Sequence, residues 1–494
     1  MSRLGNASSS VVLCALLCGA HAEAQNAAAD ADRARGDLLL QHNEVSGALA
    51  AYRSAVAAGK DEAKNYYGLA LALDRAGSLS EERTALQRVM QLASSFAPAQ
   101  NQLGLLSLKE GKTAEAKSEL NKAINLDPRY AEARNNLGVL ERREGDNTAA
   151  EQLFREAIAE NSRYEQAMVN LGSLMAGEGR LAEAEEILQH AIGVDPQDAD
   201  ALMSHAMVLI SLRRTQEALV QFRAAVRLKP KLAEAHINLG IALADANDLA
   251  GALAEFSQAV RLSPQNGLAF YNQGRVLADL ERNAEAMTSL KIAVHLDGVN
   301  PDWWTMLGTV ARKTGDKQAV VLGFGKASEL EPGSARRHYQ FGQALQDDGA
   351  RDRAIAEWRR AIQLQPDYGE ALYALSRVLT KTQPEEAKAL QAHFLSIQSA
   401  QQRTDKAQMI GTQALSAASA GDWAQAISQL HAAIEACGEC SARPLLHKNL
   451  GLVYCRSGDL VNGKRELETA QGLLPDDKDV AKTLEMLRAR RAGQ

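Results

Sequence analysis

The sequence is poor in residues that many folds depend on. Aromatic side chains make up only 4% of its 494 positions and proline occurs 11 times, against a large excess of alanine. A β-sandwich or barrel packs on β-branched and aromatic side chains, so that class is excluded, whereas alanine-rich, proline-poor sequence favours close-packed helices. Neither charge dominates: 55 Lys and Arg against 61 Asp and Glu leave a net −6, without the basic surplus of a nucleic-acid binder. No apolar run approaches the roughly 20 residues needed to span a bilayer. Catalytic signatures are missing too. There is no His-Glu-x-x-His, no Gly-x-x-x-x-Gly-Lys-(Ser/Thr), no Gly-x-Ser-x-Gly and no Gly-x-Gly-x-x-Gly, so no enzyme is expected.

What is present begins with an address. Arg3 and a short polar stretch precede the apolar run Val11–Ala20, and small residues follow at Ala20-His21-Ala22 and Ala22-Glu23-Ala24. This is the pattern of a secretory signal peptide, expected to occupy residues 1–24 and to be removed. A lipid anchor on Cys18 is disfavoured because Leu17 stands where such sites carry a small residue. The one Asn-x-Ser/Thr triplet, Asn6-Ala7-Ser8, lies inside the leader, which favours a bacterial periplasm over an endoplasmic lumen. The expectation is an exported, periplasmic or secreted protein, soluble and without a transmembrane segment.

Glycine and alanine then recur in phase. Gly36, Gly104, Gly138, Gly172, Gly240, Gly274, Gly308 and Gly342 are spaced by 34 or 68 residues, with Ala70 and Ala206 in the skipped registers. Twelve residues further on runs a column from Ala48 through Ala116 and Ala150 to Ala354, and seven beyond it another from Ala55 to Ala361. Proline follows in register at 128, 196, 230, 264, 332 and 366. A fixed period of this length marks a repeat architecture. Each unit reads as two helices, such as 131–143 and 148–160 around the turn Glu144-Gly145-Asp146. Proline stops the second helix because it has no N–H and disfavours helix in the residue before it. Small residues at the eighth, twentieth and twenty-seventh positions let helices approach. Phe or Leu at the twenty-fourth (Phe154, Leu188, Phe222, Phe256, Leu290, Phe324) supplies the large knob.

With Asn238-Leu239-Gly240, Ala252, Phe256, Ala259 and Pro264 in these columns, the chain resembles the tetratricopeptide repeat (TPR) family. The resemblance implies an all-α fold, an α-solenoid wound as a right-handed superhelix. Ten clear repeats cover 29–368, and a degenerate eleventh, with Ser376 and Lys388 in place of small residues, extends the array 25–402. The polar stretch Gln398–Lys406 is expected to be a weak joint. Two further repeats occupy 403–477, and 478–494 holds a capping helix and tail, which a solenoid needs where its last repeat has no neighbour.

In such arrays the first helix of each repeat, helix A, lines the concave face, and the expected function is a scaffold that binds protein or peptide segments there. Asn136, Asn170, Asn238 and Asn272 share the sixth position, where primary amides offer a donor and an acceptor to an extended peptide backbone. The row is similar to the asparagine ladder of O-linked N-acetylglucosamine transferases. It also fits a spacing role between helices. Beside it stand Met203, Met207, Ile237, Ile241, Tyr271, Tyr339 and Tyr373, an apolar set suited either to varied side chains of a ligand or to tight packing. Charge near the groove is mixed, with Arg275, Arg312 and Arg377 near Asp245, Asp279 and Asp347, and a carboxylate clamp is not found. Trp304, Trp358 and Trp423 occupy packing positions; Trp303 is expected to cover the degraded turn Gly298–Pro301.

Three cysteines follow the leader. Cys437 and Cys440 lie in a loop three residues longer than its counterparts and are expected to form a local disulfide, leaving Cys455 free. Ser441 replaces the histidine that haem attachment requires, and no metal or other cofactor is expected. Two other readings stand beside the scaffold: a redox- or metal-responsive module built on the Cys437/Cys440 loop, and a regulatory subunit of an envelope enzyme.

Overall fold

The computed structural model describes residues 27–59 and 62–492, with side chains to 488; the leader expected at 1–24 lies outside them. The described residues form helices and no strands. Contacts divide the chain into two units, one through Gln265 and one from Asn266.

The first unit comprises α1 (27–41), α2 (Val45–Ala58), α3 (Ala63–Arg75), α4 (Leu79–Leu92), α5 (Ala97–Lys109), α6 (Thr113–Leu126), α7 (Ala131–Glu144), α8 (Asn147–Glu160), α9 (Glu165–Gly177), α10 (Leu181–Val194), α11 (Ala199–Ser211), α12 (Thr215–Leu228), α13 (Ala233–Asp245) and α14 (Leu249–Leu262). The second comprises α15 (Gly267–Asp279), α16 (Asn283–Leu296), α17 (Pro301–Thr314), α18 (Lys317–Leu330), α19 (Ala335–Asp347), α20 (Arg351–Leu364), α21 (Gly369–Leu379), α22 (Pro384–Ser419), α23 (Trp423–Cys437), α24 (Arg443–Ser457), α25 (Leu460–Leu473) and α26 (Lys478–Ala492). Through α21 the odd-numbered helices are the A helices and the even-numbered ones the B helices.

Every hairpin except α21–α22 turns at one residue with positive φ. Glycine takes that place at 77, 111, 145, 179, 315 and 349, where the absent Cβ removes the steric cost. In six of the hairpins before α21 the next residue starts helix B in one of two ways. Asp146, Asp248 and Asp316 accept a hydrogen bond from the backbone N–H three residues on, at 2.9, 2.9 and 3.0 Å. Where arginine replaces the aspartate, at 180, 214 and 282, it pairs instead with the glutamate three residues later.

Packing within a repeat is a knob in a hole. A Cβ added to Gly138 would sit 2.7 Å from Phe154, one on Gly172 2.5 Å from Leu188 and one on Gly342 2.5 Å from Trp358. The eighth position is therefore small because the twenty-fourth side chain lies on its backbone. In the first unit successive A helices also touch one another, α5 with α7, α7 with α9, and α9 with α11, and do so more than successive B helices. Helices crowd on the inside of a curve and splay on the outside, so the A helices line the inner side of this unit.

The rhythm breaks once. Helix α22 runs unbroken for 36 residues and serves both the eleventh repeat and the next, packing its first part on α21 and its last on α23. The stretch 398–406, expected as a joint, is helix throughout. In register with Pro332 and Pro366 the terminating residue would fall at 400, where alanine stands, so nothing stops the helix. No helix among the described residues is long and apolar enough to cross a membrane.

Candidate interaction surface

Since the A helices share one face, the side chains at their fifth, sixth and ninth positions form neighbouring rows. In the first unit the ninth-position row reads Asp37, Leu71, Leu105, Val139, Ser173, Met207, Ile241. Met207 is 57% exposed and Val139 is exposed as well, while Leu105 and Ile241 are half-buried. The fifth-position residues expected to bind beside them behave differently. Met203 and Ile237 are only 9% and 3% exposed, so they form the floor and leave Met207 and Ile241 as the surface.

The asparagines divide three ways. Asn136 donates to Oδ1 of Asn101 at 2.9 Å and Asn170 to Oδ1 of Asn135 at 2.8 Å, each linking an A helix to the one before it. The link needs an amide at the fifth position of the preceding repeat. For Asn238 that position holds Met203, and Asn238 has no hydrogen-bond partner among the described residues. Asn272 is buried and donates to the Leu268 carbonyl of its own helix at 3.0 Å. Of the four, Asn136 and Asn170 spend a donor between repeats, and Asn238 keeps its whole amide for a ligand.

In the second unit the ring of Tyr271 stacks on Trp303, with centroids 5.1 Å apart and planes 10° from parallel. Trp303 is enclosed at 7% exposure and lies over Gly267, where a Cβ would come within 3.1 Å of it. The indole that covers the turn at 298–301 is Trp304, whose Nε1 donates to the Gly298 carbonyl at 2.8 Å. The two tryptophans thus exchange the places expected from the sequence, because a glycine in the preceding repeat makes room for the first of them.

Tyr339 and Tyr373 meet in a cavity of about 690 Å³ built from α17, α19, α21 and α22. Phe394 of the long helix closes one wall, its ring 5.3 Å from that of Tyr373. Trp358, donating to the Tyr339 carbonyl at 3.3 Å, lies at the base. Arg312, Asp347, Glu370 and Arg377 stand around it. Arg312 approaches Asp347 at 3.8 Å, and the Arg377 guanidinium lies over the Tyr373 ring, 5.7 Å from its centre. Burial and the nearby Glu370 push the Tyr339 phenol up, so it stays a donor.

One recurrent device joins the two helices of three repeats. His236, His338 and His447, all at the fourth position, face Glu255, Glu357 and Glu466 at 2.6, 2.6 and 2.7 Å. The second ring nitrogens of His236 and His338 face the carbonyls of Pro230 and Pro332. These clasps tie helix A to helix B inside a repeat. Their signal was a His-to-Glu spacing of nineteen residues occurring three times in register.

The sulfurs of Cys437 and Cys440 are joined at 2.07 Å at the end of α23 and are 0% and 7% exposed. Cys455 is a free thiol in a different apolar cluster, and burial pushes its thiol up, away from the reactive thiolate. Among the described residues no three His, Cys, Asp or Glu side chains are grouped to hold a metal ion.

Tetratricopeptide repeat models match the chain at 33–96, 101–165, 203–267 and 339–404, and a second such model matches at 141–208. The first covers more than half of the chain. The chain belongs to the tetratricopeptide repeat family. Among solved structures, YrrB, described as a TPR protein with an unusual peptide-binding site, is 27% identical over 38% of this chain and 98% of its own, with a TM-score of 0.35. PilF of Pseudomonas aeruginosa is 22% identical over 42% and 94%, at 0.39. A TPR protein of Parabacteroides merdae is 16% identical over 51% and 100%, at 0.40. No curated protein matches the chain. TPR proteins in general are non-catalytic scaffolds for protein or peptide partners, and the fold of this TPR protein suggests that role.

Proposed function

We propose that this TPR protein is a non-enzymatic scaffold that holds protein or peptide segments against the faces of its A helices, and that it works outside the cytoplasm, in envelope or secretory assembly. Met207 carries the binding half of the reading. A methionine 57% exposed on the face where A helices crowd, above an enclosed Met203 and beside the uncommitted amide of Asn238, is an apolar surface without a use in the fold. Repetition does the rest, since several weak contacts along one segment add through effective concentration. The extracytoplasmic half rests on the leader pattern at 1–24.

A photo-crosslinking residue placed at Met207, at Tyr373, or at the equally exposed Val220 of α12 tests this in the full chain. The expected outcome is adducts to partner segments from Met207 and from Tyr373, each on the A-helix face of its own unit, and few from Val220. Equal yields from all sites would place binding elsewhere. Recovery of the chain from the periplasmic fraction with its first residues removed is expected; cytoplasmic retention of the intact chain overturns the export half.

A further inference from the structure

The cavity between Tyr339 and Tyr373 differs in chemistry from the apolar row of the first unit. There the ninth position is aliphatic in five of seven repeats (Leu71, Leu105, Val139, Met207 and Ile241, with Asp37 and Ser173 as the exceptions); in the second unit it is Arg275, Thr309, Gln343 and Arg377. The cavity thus replaces aliphatic groups with donors while keeping aromatic walls. Arg377 makes no ion pair with a carboxylate among the described residues, and its guanidinium is held by the Tyr373 ring alone. Gln343 donates to the Tyr339 hydroxyl at 2.6 Å, which orients the phenolic proton away from Gln343 and leaves it for another acceptor. Tyr373 is 48% exposed and its hydroxyl has no partner.

The two ends of α21 carry opposite charges. Glu370 lies in its first turn, close enough to Tyr339 and Tyr368 to raise both phenols, and Arg377 lies two turns on beside Tyr373 and Phe394. A carboxylate is repelled at the first end and drawn to the second, where it would meet five N–H donors. The volume of about 690 Å³ and the Tyr373–Phe394 wall suit a flat ring beside that carboxylate.

We infer that this cavity takes a short protein segment in which an aromatic side chain stands next to an acidic one, the ring entering between Tyr339 and Tyr373 and the carboxylate pairing with Arg377. The inference rests on the proposed segment-binding role of the A-helix faces and adds to it a ligand class and an orientation.

The test selects displayed libraries of random short peptides on the full chain and on four variants, Arg377→Glu, Tyr373→Ala, Met207→Asp and Val220→Asp. These side chains are exposed, so folding is preserved, and matching circular dichroism and melting verify it. Peptides with an adjacent aromatic and acidic residue are expected to be enriched on the native chain. Their enrichment falls at least about tenfold on R377E, as the loss of a charge-assisted pair requires. On that variant an aromatic next to a lysine or arginine becomes favoured instead. Y373A loses the aromatic preference, and V220D, on a B helix away from the A-helix faces, leaves this class unchanged. If the enriched peptides respond to M207D and ignore R377E and Y373A, segment binding stands and the assignment of this cavity falls. If the native chain enriches no sequence class, both fall.

Discussion

Arg213 and Glu281 occupy the hairpin position that most other repeats give to glycine, with φ of 63° and 60°. An L-residue there costs about 1 kcal/mol in backbone strain, and neither side chain makes a hydrogen bond or ion pair that would offset it. R213G and E281G are each expected to raise stability by about 0.5–1 kcal/mol, less than the full strain because glycine has more freedom to lose on folding. Denaturant melts of the two variants measure it. Gly138 is the converse case, since its missing Cβ is where Phe154 rests. G138A should cost about 1–3 kcal/mol by overpacking, and a smaller partner in G138A/F154L should recover part of it. His205 holds a seat that is leucine in several repeats, such as Leu137 and Leu171, and both of its ring nitrogens are buried without partners. Burial lowers its basicity, so the folded protein keeps it neutral while the unfolded chain takes up a proton as pH falls below about 6.5. Its contribution is therefore full above that pH and is lost progressively below it. H205L should be more stable at every pH and should lose less stability between pH 7 and 5, read from melting temperatures across that range.

At the scale of elements, the helix pairs were legible because each boundary has a local cause: an αL glycine, an aspartate cap, a proline in register. Helix α22 shows what happens when those causes are missing. Its sequence from 385 to 410 contains neither glycine nor proline, and polar composition, read as a joint, is instead the mark of a helix solvated on most of its surface. Side chains from Lys388 to Arg403 are exposed or half-buried; Leu390 and Phe394 still pack on the preceding repeats, and the rest of the span is a strut between repeats. Restoring proline to its column with A400P removes a helix bond, at a cost of about 3 kcal/mol locally. It should uncouple the final repeats, so that calorimetry gives two transitions in place of one and amides of α23–α25 exchange faster than those of α19–α20. A single unchanged transition would show that the strut carries no cooperativity.

Across whole repeats, stability depends on neighbour contacts, and in the first unit part of these are ionic. Arg180 reaches back to Glu151 at 2.7 Å and forward to Glu183 at 2.7 Å, and Arg214 does the same with Glu185 and Glu217. The hydrogen bonds from Arg180 and Arg155 hold the Glu151 carboxyl down at about 2, so this contribution is present above the ordinary carboxylate range and lost as pH falls below it. These pairs are only partly buried, so salt screens them. R180Q/R214Q should lower the melting temperature in dilute buffer, with the difference closing in concentrated salt.

The sequence by itself determined the period, the helix pairs, the small-residue columns and the membership of the family, because each follows from local backbone chemistry repeated in phase. It also placed Tyr339 and Tyr373 on the face that carries the cavity, since a position in a repeat fixes a face of a helix. Tertiary structure alone decided which groups on that face are available. Asn136 and Asn170 are engaged while Asn238 is not, because the partner position of the latter holds a methionine one repeat away. Met203 is covered while Met207, one helical turn further, is bare, and Trp303 rather than Trp304 is enclosed because Gly267 leaves it space. Availability depends on which side chains from different repeats meet, and a single repeat read along the chain does not contain that information.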